Sequence, residues 1–91
     1  MDQAIVEPEK LRHFASRLQL FCTDITAVDT QARSALGRLG QKWQDQEYTR
    51  FAQSFTSLSR HLRAFSERAT ATVPQLRQDA DMAEQYLRIK E

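Results

Sequence analysis

Apolar residues recur at alternating intervals of three and four along the first half of the chain. They are Leu11, Phe14, Leu18, Phe21, Ile25, Val28, Ala32, Leu36 and Leu39, with Ala15 and Cys22 widening the stripe. This spacing is typical of an amphipathic α-helix with one apolar side. Pro8 suits the first turn, because its missing N–H would have no intrahelical partner there, and Gly40 suits a C-terminal cap. The pattern predicts a first helix over about residues 8–39.

A second stripe with the same spacing follows. It contains Tyr48, Phe51, Phe55, Leu58, Leu62, Phe65, Ala69, either Thr72 or Val73, Leu76, Ala80, Ala83 and Leu87. Asp45 is a good N-cap residue for this helix, and Glu47 is favourable in its first turn. Proline inside a helix removes a backbone hydrogen bond and crowds the preceding turn. We therefore expect a second helix over about 46–88, with a kink or break near 72–74 caused by Pro74.

Two long helices joined by a short turn, at about residues 40–45, predict an all-α fold: a single antiparallel helical hairpin over residues 1–91. The two stripes face each other when the numbers of paired residues add to 83, as for Phe21 with Leu62. The centre of this register lies at residues 41–42, inside the turn. The same register leaves the second helix overhanging the first from about Leu76 onward.

The aromatic content of the stripes predicts association. Four large rings, those of Phe14, Phe21, Phe55 and Phe65, cannot all be covered by one partner helix. A second hairpin, either another copy or a sister chain, would bury them in a four-helix bundle. The expected core and interface residues are Phe14, Leu18, Phe21, Ile25, Val28, Phe51, Phe55, Leu58, Leu62 and Phe65.

Charge is unevenly distributed along the 91 residues, although the formal net charge is only +1. Residues 1–32 and 78–91 each have a net charge of −2, whereas residues 33–77 have a net charge of +5. A basic middle segment can attract phosphate, so a nucleic-acid-associated protein is one alternative. A solvated helix face is the simpler interpretation, because there is no recognition-helix turn and both ends are acidic.

The sequence contains little that indicates catalysis. Cys22 and His61 fall near each other in the expected register, but no third ligand, base or oxyanion-stabilising group accompanies them. No phosphate-binding glycine loop, zinc-protease motif or calcium loop occurs. We expect no enzyme activity, no catalytic residue, no metal and no cofactor.

The N-terminal residues lack the pattern of a cleaved signal peptide, and no apolar run is long enough to span a membrane.

Trp43 is the only tryptophan and lies between the two predicted helices. It either covers the end of the apolar seam or forms a recognition point at the tip of the hairpin. Three features make the chain similar to a known family. They are the start Ile5-Val6-Glu7-Pro8-Glu9-Lys10-Leu11, the mid-chain segment Leu39-Gly40-Gln41-Lys42-Trp43-Gln44-Asp45, and a long second helix ending near Tyr86. In these features the chain resembles the WXG family. These are small helical hairpins, similar to early secreted antigens and associated with type VII (ESX-type) secretion.

The resemblance covers nearly the whole chain and implies a dimeric hairpin. Its partner would be the chain itself or a sister hairpin, with a larger toxin-like substrate or a secretion ATPase as further partners. Asp45 stands where the family has glycine. Tyr86 is the candidate C-terminal signal, but Lys90 occupies the fourth position after it, where the family has an acidic residue. The expected location is therefore either secreted without a cleaved signal peptide or cytoplasmic, the latter as an intracellular adaptor.

Overall fold

The computed structural model describes residues 7–90, which form two long α-helices. Helix α1 spans Pro8–Gly40 and helix α2 spans Gln46–Lys90, with residues 41–45 forming the loop between them. The prediction of an all-α helical hairpin is confirmed. Ile5 and Val6, which belong to the N-terminal segment of the WXG resemblance, lie outside the described residues.

Helix α2 continues through Pro74 without interruption, so the predicted break near 72–74 does not occur. At about 1.5 Å per residue, its 45 residues account for the 68 Å length of the described structure. A proline removes only one backbone donor, and here the helix is held against α1 on both sides of it. Val73 is 2% exposed and Ala80 is completely buried, so tertiary packing maintains the helix across the weak point.

Small residues fill the contact between the two helices. The buried residues of α1 are Ala15, Cys22 and Asp29, and those of α2 are Ser59, Ser66, Ala69, Val73 and Ala80. Most of them are seven apart, as are Ala15, Cys22 and Asp29, and this spacing keeps them on one side of each helix. We call these eight residues the seam. Because interaxial distance depends on the side chains at the contact, a seam of small residues lets two helices pack closely.

The expected pairing of the large apolar stripes is wrong. Phe21 contacts Phe65 and Asp29 contacts Ser59, and their residue numbers add to 86 and 88 rather than 83. The difference corresponds to about one helical turn. In the structure α1 continues to Gly40 and α2 begins at Gln46, so the centre of the loop lies at Trp43.

The C-terminal overhang is also shorter than predicted. The Arg12 guanidinium, in the second turn of α1, contacts Asp81 at 2.7 Å and Glu84 at 2.5 Å. Farther along, Arg77 donates a hydrogen bond to Ser16. Helix α1 therefore covers α2 to about Ala80, and the Arg12 side chain reaches on to Glu84.

Larger apolar side chains placed in the seam should destabilise the protein. Ala15→Leu or Ala80→Leu should each lower the free energy of unfolding by about 1–3 kcal/mol, because each adds volume to a completely buried position. Ala27→Leu, at an exposed position of α1, is the control and should have little effect. Urea denaturation followed by circular dichroism measures all three, and equal stability of Ala15→Leu and Ala27→Leu would place the seam elsewhere.

Candidate functional site

The ten predicted core and interface residues form one side of the hairpin instead of its seam. Phe14, Phe21 and Val28 are seven apart on α1, as are Phe51, Leu58 and Phe65 on α2, and all six are exposed. Leu18, Ile25, Phe55 and Leu62 are half-buried beneath them. We call these ten residues the apolar face. They are excluded from the seam because small residues on the adjacent side of each helix already occupy the helix–helix contact.

The four outer phenylalanines of this face remain substantially exposed. Phe14 is 54% exposed, Phe21 53%, Phe51 53% and Phe65 41%. Phe21 and Phe65 make an edge-to-face contact across the hairpin, with ring centroids 6.3 Å apart. One such contact covers only part of each ring. The hairpin therefore presents aromatic surface on both of its helices.

A shallow groove runs between the helices within the apolar face. It has a volume of about 410 Å³ and an almost entirely apolar lining. Phe21 and Leu62, predicted to be paired, both line it, as do Ile25, Val28, Phe55 and Leu58. Such a groove suits the insertion of apolar side chains from another helix.

The opposite side of the hairpin is polar. The surface there is formed by Thr23, Thr26, Ala27, Thr30 and Gln31 of α1 and by Thr49, Ala52, Gln53, Thr56 and Arg60 of α2. Several of the threonine hydroxyls donate to carbonyl oxygens one turn earlier in their own helix, as Thr26 does to Cys22. The large apolar side chains of the central part of the hairpin are therefore concentrated on one side.

A compact group of residues closes the tip of the hairpin. Tyr48 donates its hydroxyl hydrogen bond to the Leu36 carbonyl at 3.1 Å. Its ring packs edge to face against half-buried Trp43, with the centroids 5.5 Å apart. Gly40 is the last residue of α1 and does not adopt a positive φ, so it is not the left-handed cap that the sequence suggested. It is needed because a Cβ there would collide with the Tyr48 ring and hydroxyl.

Asp45 caps α2 as predicted. Its Oδ1 accepts a hydrogen bond from the Tyr48 N–H at 3.0 Å, which satisfies one of the unpaired donors of the first turn. This hydrogen bond is the main reason that the pKa of Asp45 lies below its usual value, and the Trp43 side chain contributes further. Asp45 therefore keeps the start of α2 in place.

Charged side chains join the helices at the open end of the hairpin. Arg12 bridges Glu9 of its own helix to Asp81 and Glu84 of α2, and Arg88 adds a second contact to Glu84. The hydrogen bond from Arg12 is the main cause of the lowered pKa of Glu84. The bond to Asp81 is the main cause of the raised pKa of Arg12. Because these groups are in contact with solvent, they align the ends more than they stabilise the fold.

Cys22 and His61 occupy different environments. Cys22 is buried in the seam, whereas His61 is exposed and its Nδ1 donates a hydrogen bond to the Ser57 carbonyl of its own helix. Within residues 7–90, no group of three or more histidine, cysteine or acidic side chains is arranged to hold a metal ion. Tyr86, the candidate signal residue, lies on α2 and is more than half exposed.

No family model matches the chain, and no curated protein matches it. Neither of the described helices has an apolar stretch of the length needed to cross a membrane.

The two glycines near the loop should respond oppositely to alanine. Gly37→Ala should raise the free energy of unfolding by about 0.4–1 kcal/mol, since the site is open and alanine restricts the unfolded chain. Gly40→Ala should lower it by on the order of 1 kcal/mol, because Tyr48 must move and lose its hydrogen bond to Leu36. Urea denaturation monitored by Trp43 fluorescence compares them, and equal stabilisation by both substitutions would contradict the packing at the tip.

Proposed function

We propose that this chain is a non-enzymatic association module. Its apolar face packs against a second helical hairpin, either another copy or a sister chain, to form a four-helix bundle. One observation carries the proposal: the seam is filled by small residues, so the largest apolar side chains remain exposed on one side. An exposed, continuous apolar surface on a small protein is typical of an interaction site.

The energy available from the apolar face is of the same order as the cost of association. Complete burial of a large apolar side chain is worth about 1.5–3 kcal/mol. Since the six outer residues are already about half covered, burying the remainder contributes on the order of 1 kcal/mol for each. Two copies together contribute about 12 kcal/mol, which is comparable to the roughly 4–15 kcal/mol that association costs.

Charge favours an antiparallel arrangement of two hairpins. Residues 33–77, which contain the tip, have a net charge of +5, whereas residues 1–32 and 78–91, which lead to the open end, each have a net charge of −2. An antiparallel pair places the basic tip of one hairpin near the acidic end of the other. Exposed charges of this kind are screened by salt and set orientation more than affinity.

The resemblance to the WXG family extends the proposal to secretion. In this interpretation the chain is a type VII-type secretion substrate, or it accompanies a larger secreted protein through the apolar face. The position of Trp43 in the loop between two long helices supports this interpretation. An adaptor that stays inside the cell would use the same face, so location distinguishes these two roles.

Two leucines of equal exposure provide a matched test of association. Leu58 lies on the apolar face and Leu20 lies away from it, and each is 54% exposed. Leu58→Glu should convert the dimer into a folded monomer, because a charge would have to enter the apolar contact. Leu20→Glu should leave the dimer intact. Sedimentation equilibrium measures the mass. A dimeric Leu58→Glu variant would refute association through this face, and a monomeric parent protein would refute self-association and leave a sister chain as the partner.

Secretion is tested in a host with a type VII system. The chain should accumulate in the medium of intact cells, with a cytoplasmic enzyme as the marker for lysis. Tyr86→Ala should greatly reduce the exported fraction. Met82→Ala, another exposed position of α2, should not change it. Retention of the parent chain with the cells would favour the adaptor role.

A further inference from the structure

We propose that the buried pair Asp29–Ser59 determines the register in which α1 packs against α2. This inference concerns the single chain and does not depend on the proposed association. The pair lies within the seam, where most of the other residues are apolar. The pair joins the two helices by a polar contact, and sliding one helix along the other would break this contact.

The geometry of the pair is that of a strong hydrogen bond. The Asp29 side chain is 2% exposed. Its Oδ1 accepts a hydrogen bond from the Ser59 Oγ at 2.6 Å, and its Oδ2 accepts one from the Arg33 Nε at 3.2 Å. Hydrogen bonds to an ionised carboxylate are stronger than those between neutral groups. Within the described residues, no buried side-chain polar atom lacks a partner.

Packing alone does not select one register, because the seam repeats every seven residues. Moving α2 by one heptad in one direction would place Ala52 opposite Asp29 and Ser59 opposite Cys22. The centre of the loop would then move toward Gly40, near two glycines that weaken the end of α1. Alanine offers the carboxylate no hydrogen-bond donor, so this register buries a charge without its partner on α2.

The loop excludes the opposite shift. In that register Ser66 would lie opposite Asp29 and would supply a hydroxyl group. The centre of the loop would, however, move into the first turn of α2. The cap from Asp45 to the Tyr48 N–H and the bond from Tyr48 to the Leu36 carbonyl would both be lost. The loop therefore disfavours both shifts, because each would lose the bond from Tyr48 to the Leu36 carbonyl. The Asp29–Ser59 pair adds a further cost to the shift that places Ala52 opposite Asp29.

Paramagnetic relaxation in solution NMR measures the register directly. A nitroxide is attached at Thr30→Cys, on the exposed polar side of α1, in a Cys22→Ala background. Dilution with unlabelled, unenriched chain removes broadening between molecules. With Asp29 and Ser59 present, the broadened amides of α2 should form one group centred on about residues 56–60. In Asp29→Ala/Ser59→Ala, a second group should appear one heptad closer to the loop.

Two further variants complete the test. Asp29→Asn keeps an oxygen that accepts the Ser59 hydrogen bond, so it should retain a single group. Asp29→Ala/Ser59→Val replaces the pair with the residue types found at Ala15 and Val73 of the seam and should again show two groups. A single native group in both apolar variants would overturn the proposal, because the loop alone would then fix the register. Loss of helical circular dichroism in both would also overturn it, because the pair would then be required for folding itself.

Discussion

The close contact of α1 and α2 through small side chains is the constraint on which the rest of the structure depends. Ala15 and Ala80 are completely buried, and there is no room in the seam for a phenylalanine. The large apolar residues therefore lie on the adjacent side of each helix. In an antiparallel pair these two sides are next to each other, so they combine into one surface. The apolar face is thus a direct consequence of how the seam is filled.

The two ends of the hairpin are fixed by different chemistry. At the tip, the absence of a Cβ at Gly40 admits the Tyr48 ring, which in turn contacts Trp43 and bonds to Leu36. At the open end, the Arg12 guanidinium holds two carboxylates of α2. The half-buried aromatic contact at the tip restrains the chain more strongly than the solvated ion pairs do. Opening of the hairpin should therefore begin at the end that carries Pro8.

Most of the secondary structure could be predicted from the sequence, but the packing could not. The heptad spacing, Pro8 and Asp45 were sufficient to locate both helices to within about two residues. The register predicted from the sequence was wrong because it assigned burial to the largest apolar residues. The seam instead consists of small residues such as Ala15 and Ser66. A signal for the seam was present, since Ala15, Cys22 and Asp29 repeat every seven residues. A charged residue in that repeat obscured it.

The small size of the seam residues also explains why Asp29 can occupy a buried position. A carboxylate is expensive to bury, but it is short, and in a seam of small residues only a short polar side chain fits between the helices. Its partner Ser59 is equally small and comes from the other helix, so the contact forms only when the two helices are correctly aligned. A larger polar pair would separate the helices and open the seam. The small volume of the seam therefore places the large side chains outside the hairpin and also restricts its buried polar contact to residues of this size.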